Sequence, residues 1–216
     1  MSEGQYNPLH KINLGKSVAE ALLDKKTDSL GEIPQFAGAG IYAIYYTGNF
    51  LPYRRMGERN AEKSEWPLYI GKAIPSGGRK GSALFSEITG RHLWGRLKEH
   101  ADSVRAAGTT LRIEDFQCRY LIVDDIWIPL GETLLIGRFK PVWNLALDGF
   151  GNHDPGAGRY QGLRPLWDVL HPGRAWALKC KARPETNAEL AKRVKDFLRE
   201  NEPPKEAHMK FNPPTK

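Results

Sequence analysis

The stretch GIYAIYY at residues 40–46 decides the fold, because almost every position in it favours a β-strand. The strand predicted from it covers residues 41–46, and the residues LYI at 68–70 have the same character. Residues 116–123 alternate as a third strand. The segment 47–65 between the first two strands is too long for a hairpin turn, so we interpret it as a partly helical insertion.

Two amphipathic helices follow from the spacing of the apolar residues. In residues 90–107, Arg96 and His100 lie four residues apart at the edge of the apolar stripe. Both side chains are therefore expected to face the strands. The other helix begins near Pro129 and ends before Pro141. Proline is favoured in the first turn of a helix, and the residue before a proline disfavours the helical conformation. The fold class is thus α/β (α+β).

Glu132 lies in the middle of the apolar face of the second helix. An ionised carboxylate in that position is costly unless a cation or hydrogen-bond donors lie beside it. Two interpretations remain open. The carboxylate forms an internal salt bridge with an arginine, or it binds a divalent metal such as Mg²⁺, which needs few protein carboxylates.

The net charge of +7 results from 32 lysines and arginines against 25 aspartates and glutamates. Residues 72–80 and 149–183 hold this excess, and both are rich in glycine and polar residues. The distribution indicates a polyanionic partner such as nucleic acid, although solubility alone would also account for the charge. The second stretch belongs to a loop-rich extension, in which a strand is predicted at 175–182 and a helix at 188–199.

The chain has two cysteines, too few for a disulfide framework or a structural zinc site. It has no apolar run of membrane-spanning length, and its first residues do not resemble a signal peptide. We therefore expect a cytoplasmic protein without membrane contact.

The order of these features resembles the GIY-YIG nuclease superfamily. The resemblance rests on the tripeptides Gly40-Ile41-Tyr42 and Tyr69-Ile70-Gly71, followed by four polar residues: Arg96, His100, Glu132 and Asn144. The histidine four residues after the arginine, the long insertion and the tail sequence HPGR at 171–174 resemble more narrowly the type II restriction endonucleases that cut the palindrome CCGCGG.

The resemblance implies a core at 36–146, an antiparallel sheet of three strands with helices packed on it. Residues 1–35 then form an N-terminal arm and helix, residues 147–200 an extension that contacts DNA, and residues 201–216 a disordered tail.

The resemblance also implies hydrolysis of a DNA phosphodiester with one divalent metal per active site, Mg²⁺, for which Mn²⁺ can substitute. Glu132 would hold the metal, Arg96 would stabilise the scissile phosphate, and Tyr69 and Asn144 would position phosphate and water. A phenol is ionised only about one part in a thousand at pH 7. We therefore expect Tyr42 to contact the water and His100 to accept the proton.

Cutting both strands of a palindrome requires two active sites related by a twofold axis, so a homodimer on double-stranded DNA is expected. The predicted DNA contacts come from the two positive stretches: Lys72, Arg79, Lys80, Arg159, Arg164 and Arg174.

Two other functions remain open. A repair or homing nuclease could carry the same core, but such enzymes usually have a further DNA-binding domain. A nucleic-acid-binding protein without catalysis would need only the basic stretches. Glu132 discriminates, because a pure binder has no need for a buried carboxylate near Arg96 and His100.

Overall fold

An open antiparallel sheet forms the centre of the protein in the computed structural model, which describes residues 7, 9–75 and 90–204. The described strands are β1 (Asp28–Ser29), β2 (Gly40–Tyr46), β3 (Pro67–Ala73) and β4 (Phe116–Ile122). Their order across the sheet is β1-β4-β2-β3, with every pair antiparallel. The described part of the chain thus has four strands rather than the three expected, because β1 is a two-residue strand too short to show alternation.

Helices cover both faces of the sheet. They are α1 (Lys11–Leu23), α2 (Arg54–Asn60), α3 (His92–Ala106), α4 (Ile128–Phe139), α5 (Val142–Leu145), α6 (Leu166–Leu170) and α7 (Asn187–Glu200). The two helices predicted to carry the polar residues are confirmed as α3 and α4. The insertion contains α2, which confirms its partly helical character.

Strand β2 is buried along its whole length and separates two apolar layers. Tyr42, Ile44 and Tyr46 pack into the layer that includes α3 and the C-terminal extension. The alternate residues of β2 pack into the other layer, with α1 and α4. This burial on both faces explains why β2 reads as an unbroken apolar run instead of an alternating strand.

The N-terminus of α3 is held against the entry to β2. The amide of Gly38 donates to the Gly90 carbonyl (2.8 Å), and the Leu93 amide donates to the Gly38 carbonyl (3.0 Å). These bonds satisfy a backbone donor of the first helical turn and fix the helix relative to the strand. Residues further along α3 therefore face β2 in a defined register.

The predicted strand at 175–182 is wrong. Ala177–Lys179 forms a single 3-10 turn, and Lys181 makes only an isolated bridge to Leu163. Trp176 in this segment packs on the guanidinium of Arg174, and none of the described strands runs alongside the segment to pair with it.

Of the predicted tail, residues 205–216 lie outside the described residues. Residues 201–204 contact the insertion, where Arg59 donates to the carbonyl oxygens of Pro203 (2.5 Å) and Pro204 (2.9 Å). None of the helices in the described ranges combines the length and apolar character needed to cross a bilayer.

Candidate active site

The two tripeptides and α3 bring Tyr42, Tyr69 and His100 together. The Tyr42 hydroxyl and His100 Nε2 share a hydrogen bond of 2.6 Å in the interior. The Tyr69 ring lies 6.2 Å from that of Tyr42 and 5.3 Å from that of His100, measured between centroids. The contact expected between the strand tyrosine and the helix histidine is therefore present.

Gly71 makes room for the Tyr42 side chain. The two residues are directly opposite in the β2–β3 register. A Cβ atom on Gly71 would lie 2.3 Å from the Tyr42 hydroxyl oxygen, closer than atoms can approach. The glycine of the second tripeptide is thus needed because the tyrosine of the first crosses over it.

Burial keeps the two bonded groups neutral. Burial raises the pKa of Tyr42 well above its usual value, and the charges of Tyr69 and Glu132 add to this while Arg96 opposes it. Burial, followed by the positive charge of Arg96, lowers the pKa of His100 well below 6.5. At neutral pH the pair therefore consists of a phenol and a neutral imidazole.

Arg96 lies at the border between this buried pair and the surface. Its guanidinium donates to Glu99 Oε2 (3.0 Å) and to the carbonyl oxygen of Gly151, and it contacts His153. A cavity of about 670 Å³ opens beside it. The charged and imidazole groups of its lining are mostly basic, with Glu99 as the acidic member: Lys72, Arg91, His92, Arg96, Glu99 and His153. Such a lining suits a phosphate backbone.

Glu132 projects from α4 toward the same region and forms an ion pair with Lys72, Nζ to Oε2 2.7 Å. The cation beside it is thus a lysine from β3 and not the arginine considered from the sequence. The Glu132 side chain is only 17% exposed, and its charge raises the pKa of both Tyr42 and Tyr69. The carboxylate therefore lies within electrostatic reach of the tyrosines.

The donor set at Glu132 fits Mg²⁺. In residues 9–75 and 90–204, no three His, Cys, Asp or Glu side chains are placed to share a metal. A single protein carboxylate, completed by waters and by phosphate oxygens of a substrate, is, however, a usual magnesium arrangement. The position already stabilises a positive charge, since the Lys72 ammonium lies on the carboxylate.

The side chain of Asn144 binds the backbone of β3. Its side-chain oxygen accepts from the Ile70 amide (2.9 Å), and its side-chain nitrogen donates to the Ile70 carbonyl (2.8 Å). The amide therefore completes the hydrogen bonds of β3 at the edge of the sheet. Its contact is thus with the backbone between Tyr69 and Gly71.

The C-terminal extension supplies residues that the sequence analysis missed. The Phe150 ring stacks on His100, with centroids 4.4 Å apart and planes at 17°. Gly151 and His153 contact Arg96, as described above. No periodic pattern marks residues 150–153; the only signal available was their place in a positive, glycine-rich stretch.

The residues predicted to contact DNA differ from one another in their exposure and partners. Arg79 and Lys80 lie outside the described residues. Arg159 is exposed, whereas Arg164 is partly buried and donates to the Ala177 carbonyl (3.1 Å). The Arg174 side chain is 4% exposed and paired with Asp168, so the expected DNA contact from it does not fit its position.

Comparison with known proteins agrees with this geometry. Residues 34–198 match the family described as the Eco29kI GIY-YIG domain. No curated protein matches the chain. The matched range contains both strands of the tripeptides, α3, α4, Asn144 and most of the extension. The chain therefore belongs to the Eco29kI GIY-YIG family of type II restriction endonucleases, and it is a nuclease.

Proposed function

We propose that this nuclease is a Mg²⁺-dependent type II restriction endonuclease that hydrolyses double-stranded DNA at a short palindromic site rich in G·C pairs. The observation that carries the proposal is the 2.6 Å bond between the Tyr42 hydroxyl and His100 Nε2, buried next to Arg96 and a basic cavity. A protein that only binds DNA does not need such a phenol–imidazole pair placed beside a guanidinium that can bind phosphate.

Tyr42 and His100 act as a proton relay. The attacking water gives its proton to the Tyr42 oxygen, while the Tyr42 proton passes to Nε2 of His100. The phenol therefore never has to ionise on its own, which its raised pKa would prevent. DNA phosphates near the cavity offset the positive charge of Arg96 and so strengthen His100 as the proton acceptor.

Arg96 binds the scissile phosphate. Its guanidinium is fixed by Glu99 and the Gly151 carbonyl, and the cavity lies beside it. A guanidinium held in place stabilises the charge that develops on the phosphate oxygens as the water oxygen bonds to phosphorus and the opposite P–O bond breaks. Tyr69 packs on Tyr42 and His100 and limits where the water can lie.

Glu132 would hold the metal, Mg²⁺ or Mn²⁺ in its place, with Lys72 turned from the carboxylate to a DNA phosphate. The bound ion supplies Lewis-acid stabilisation of the phosphate oxygens. The Lys72 side chain is 38% exposed and flexible enough to leave Glu132 without refolding the strand.

A palindromic site calls for two copies of this active site, so we propose a homodimer with a twofold axis. Arg159 and Arg164, with Lys72, Arg79 and Lys80, contact phosphates or guanine edges. We propose a cytoplasmic location, because a restriction enzyme acts where foreign DNA arrives.

The test uses purified protein with plasmid and genomic DNA, in the presence of Mg²⁺, Mn²⁺ or a chelator, with sequencing of the ends. We expect discrete, metal-dependent fragments with palindromic ends. Uncut DNA under all conditions would favour a non-catalytic binder, and scattered or structure-dependent ends would favour a repair or homing enzyme.

Glu132→Ala separates binding from chemistry. We expect it to retain DNA affinity and lose turnover by at least about 10²-fold, because the metal site is lost while the basic cavity remains. Glu114→Ala is the control, since this carboxylate is exposed and pairs only loosely with Arg112. Equal loss of affinity and turnover in a folded Glu132→Ala protein would contradict the metal role.

A further inference from the structure

Arg174 is bound more completely than any surface role would require. Its Nε donates to Asp168 Oδ1 (2.7 Å), and its Nη2 donates to Asp168 Oδ2 and to the Gly149 carbonyl (2.8 Å). Its Nη1 donates to the carbonyl oxygens of Phe150 (3.0 Å) and Asn152 (3.0 Å). All five N–H donors of the guanidinium are therefore used inside the protein.

The planar faces of the guanidinium are covered as well. Its central carbon lies 4.7 Å from the ring centroids of both Trp167 and Trp176. Gly173, the preceding residue, passes so close to the end of α3 that a Cβ atom would lie 1.8 Å from the Ala106 carbonyl oxygen. The extension is thus fixed to α3 at the point where Arg174 enters.

Three of the acceptors belong to the loop of residues 149–152, and this loop forms one wall of the active site. Phe150 stacks on His100, and the Gly151 carbonyl accepts from Arg96. Arg174 therefore binds the loop backbone at Gly149, Phe150 and Asn152. The Phe150 ring and the Gly151 carbonyl, which contact His100 and Arg96, lie within this bound segment.

We propose that Arg174, paired with Asp168, is a positioning residue: it holds the loop of residues 149–152 so that Phe150 seals His100 from water and Gly151 orients Arg96. The proposal rests on the proposed nuclease mechanism for its kinetic consequences. It gives the C-terminal extension a part in catalysis as well as in DNA contact.

The physical basis is the neutrality of His100. Burial lowers its pKa first, and the charges of Arg96, His153 and Arg174 contribute further. Tyr42 and Tyr69, on the strands facing it, stay neutral phenols. If the loop loosens, water reaches the ring and the pKa of His100 returns toward 6.5. Arg96 also loses the carbonyl that fixes it.

The test is Arg174→Lys, which keeps the positive charge but cannot serve four acceptor groups in a planar fork. Tyr53→Phe is the control, because it removes buried hydrogen bonds from the same interior without contacting residues 149–152. Both proteins are compared with wild type by thermal unfolding, by kcat and KM for cleavage, and by NMR titration of labelled histidines.

In wild type and Tyr53→Phe we expect His100 to stay neutral from pH 8 to well below 6.5. In Arg174→Lys we expect its resonances to titrate nearer 6.5, the acid limb of kcat to move to higher pH, and kcat to fall on the order of 10²-fold with KM unchanged. A folded Arg174→Lys protein with the wild-type His100 titration and wild-type kcat would overturn the proposal.

Phe150→Leu covers the case in which Arg174→Lys does not fold. It removes the ring from His100 and leaves the Arg174 bonds in place, so the same shift in the His100 titration is expected. A wild-type titration in that variant would equally overturn the proposal. Because the titration needs no cleavage, it also decides the matter if the wild-type protein proves not to cut DNA.

Discussion

At the scale of single residues, two tyrosine–histidine pairs lie buried among the described residues and have the same bond length. Tyr42 bonds to His100 and Tyr53 bonds to His171, each at 2.6 Å. The second pair already has further hydrogen-bond partners inside the protein. Trp143 donates to the Tyr53 oxygen (2.8 Å), and Thr110 bonds the other nitrogen of His171 (2.9 Å). The first pair lies beside Arg96 and the cavity, so it alone can meet a substrate.

Removing one hydroxyl from each pair separates chemistry from packing. Tyr42→Phe is expected to lower the single-turnover cleavage rate by about 10²–10⁴-fold, because the water loses its proton acceptor. Tyr53→Phe is expected to cleave as wild type. Each is expected to lose about 1–3 kcal/mol in the free energy of unfolding, because a buried imidazole nitrogen loses its partner. Denaturant melts and quenched-flow cleavage measure the two effects, and wild-type rates in Tyr42→Phe would eliminate the relay.

At the scale of the elements, the approach of β3 to β2 depends on Gly71. We expect Gly71→Ala to lower both stability and cleavage, since the new methyl group displaces the Tyr42 ring. In a Tyr42→Ala background the same substitution should cost far less stability, which a double-mutant cycle measures as a coupling energy of at least about 1 kcal/mol. Gly137→Ala, in α4 with open space around it, is the control and should be neutral or stabilising. Additive effects would contradict the steric explanation.

The elements that could be predicted from sequence are those whose pattern follows from local geometry. The apolar stripe of α3 placed Arg96 and His100 toward β2, and the tripeptides placed Tyr42 near both. The contact between Arg174 and the loop of residues 149–152 could not be predicted. Arg174 binds backbone carbonyl groups more than twenty residues away in sequence, and every residue type has such a carbonyl. The strand predicted at 175–182 is wrong because apolar patterning does not show that Trp176 packs on the guanidinium of Arg174.

At the scale of the whole molecule, fewer cations are available to DNA than the two positive stretches contain. Arg174 belongs to the positive stretch 149–183, but Asp168 neutralises it in the interior. Lys72 belongs to the other stretch and reaches DNA only by leaving Glu132. The cations that can bind DNA phosphates are therefore the exposed ones of the extension, such as Arg159, and the basic side chains that line the cavity.

The salt dependence of DNA binding tests that distribution. Arg159→Ala and Arg199→Ala each remove one exposed cation, but Arg199 lies on α7, where it pairs with Asp196. We expect Arg159→Ala to reduce the slope of log Kd against log salt concentration by about 0.9, because one phosphate contact and its released counterion are lost. Arg199→Ala should leave the slope unchanged. Fluorescence anisotropy with a DNA duplex, with chelator present to prevent cleavage, measures both. Equal changes in the two variants would mean that DNA responds to net charge alone and that the extension makes no defined phosphate contact through Arg159.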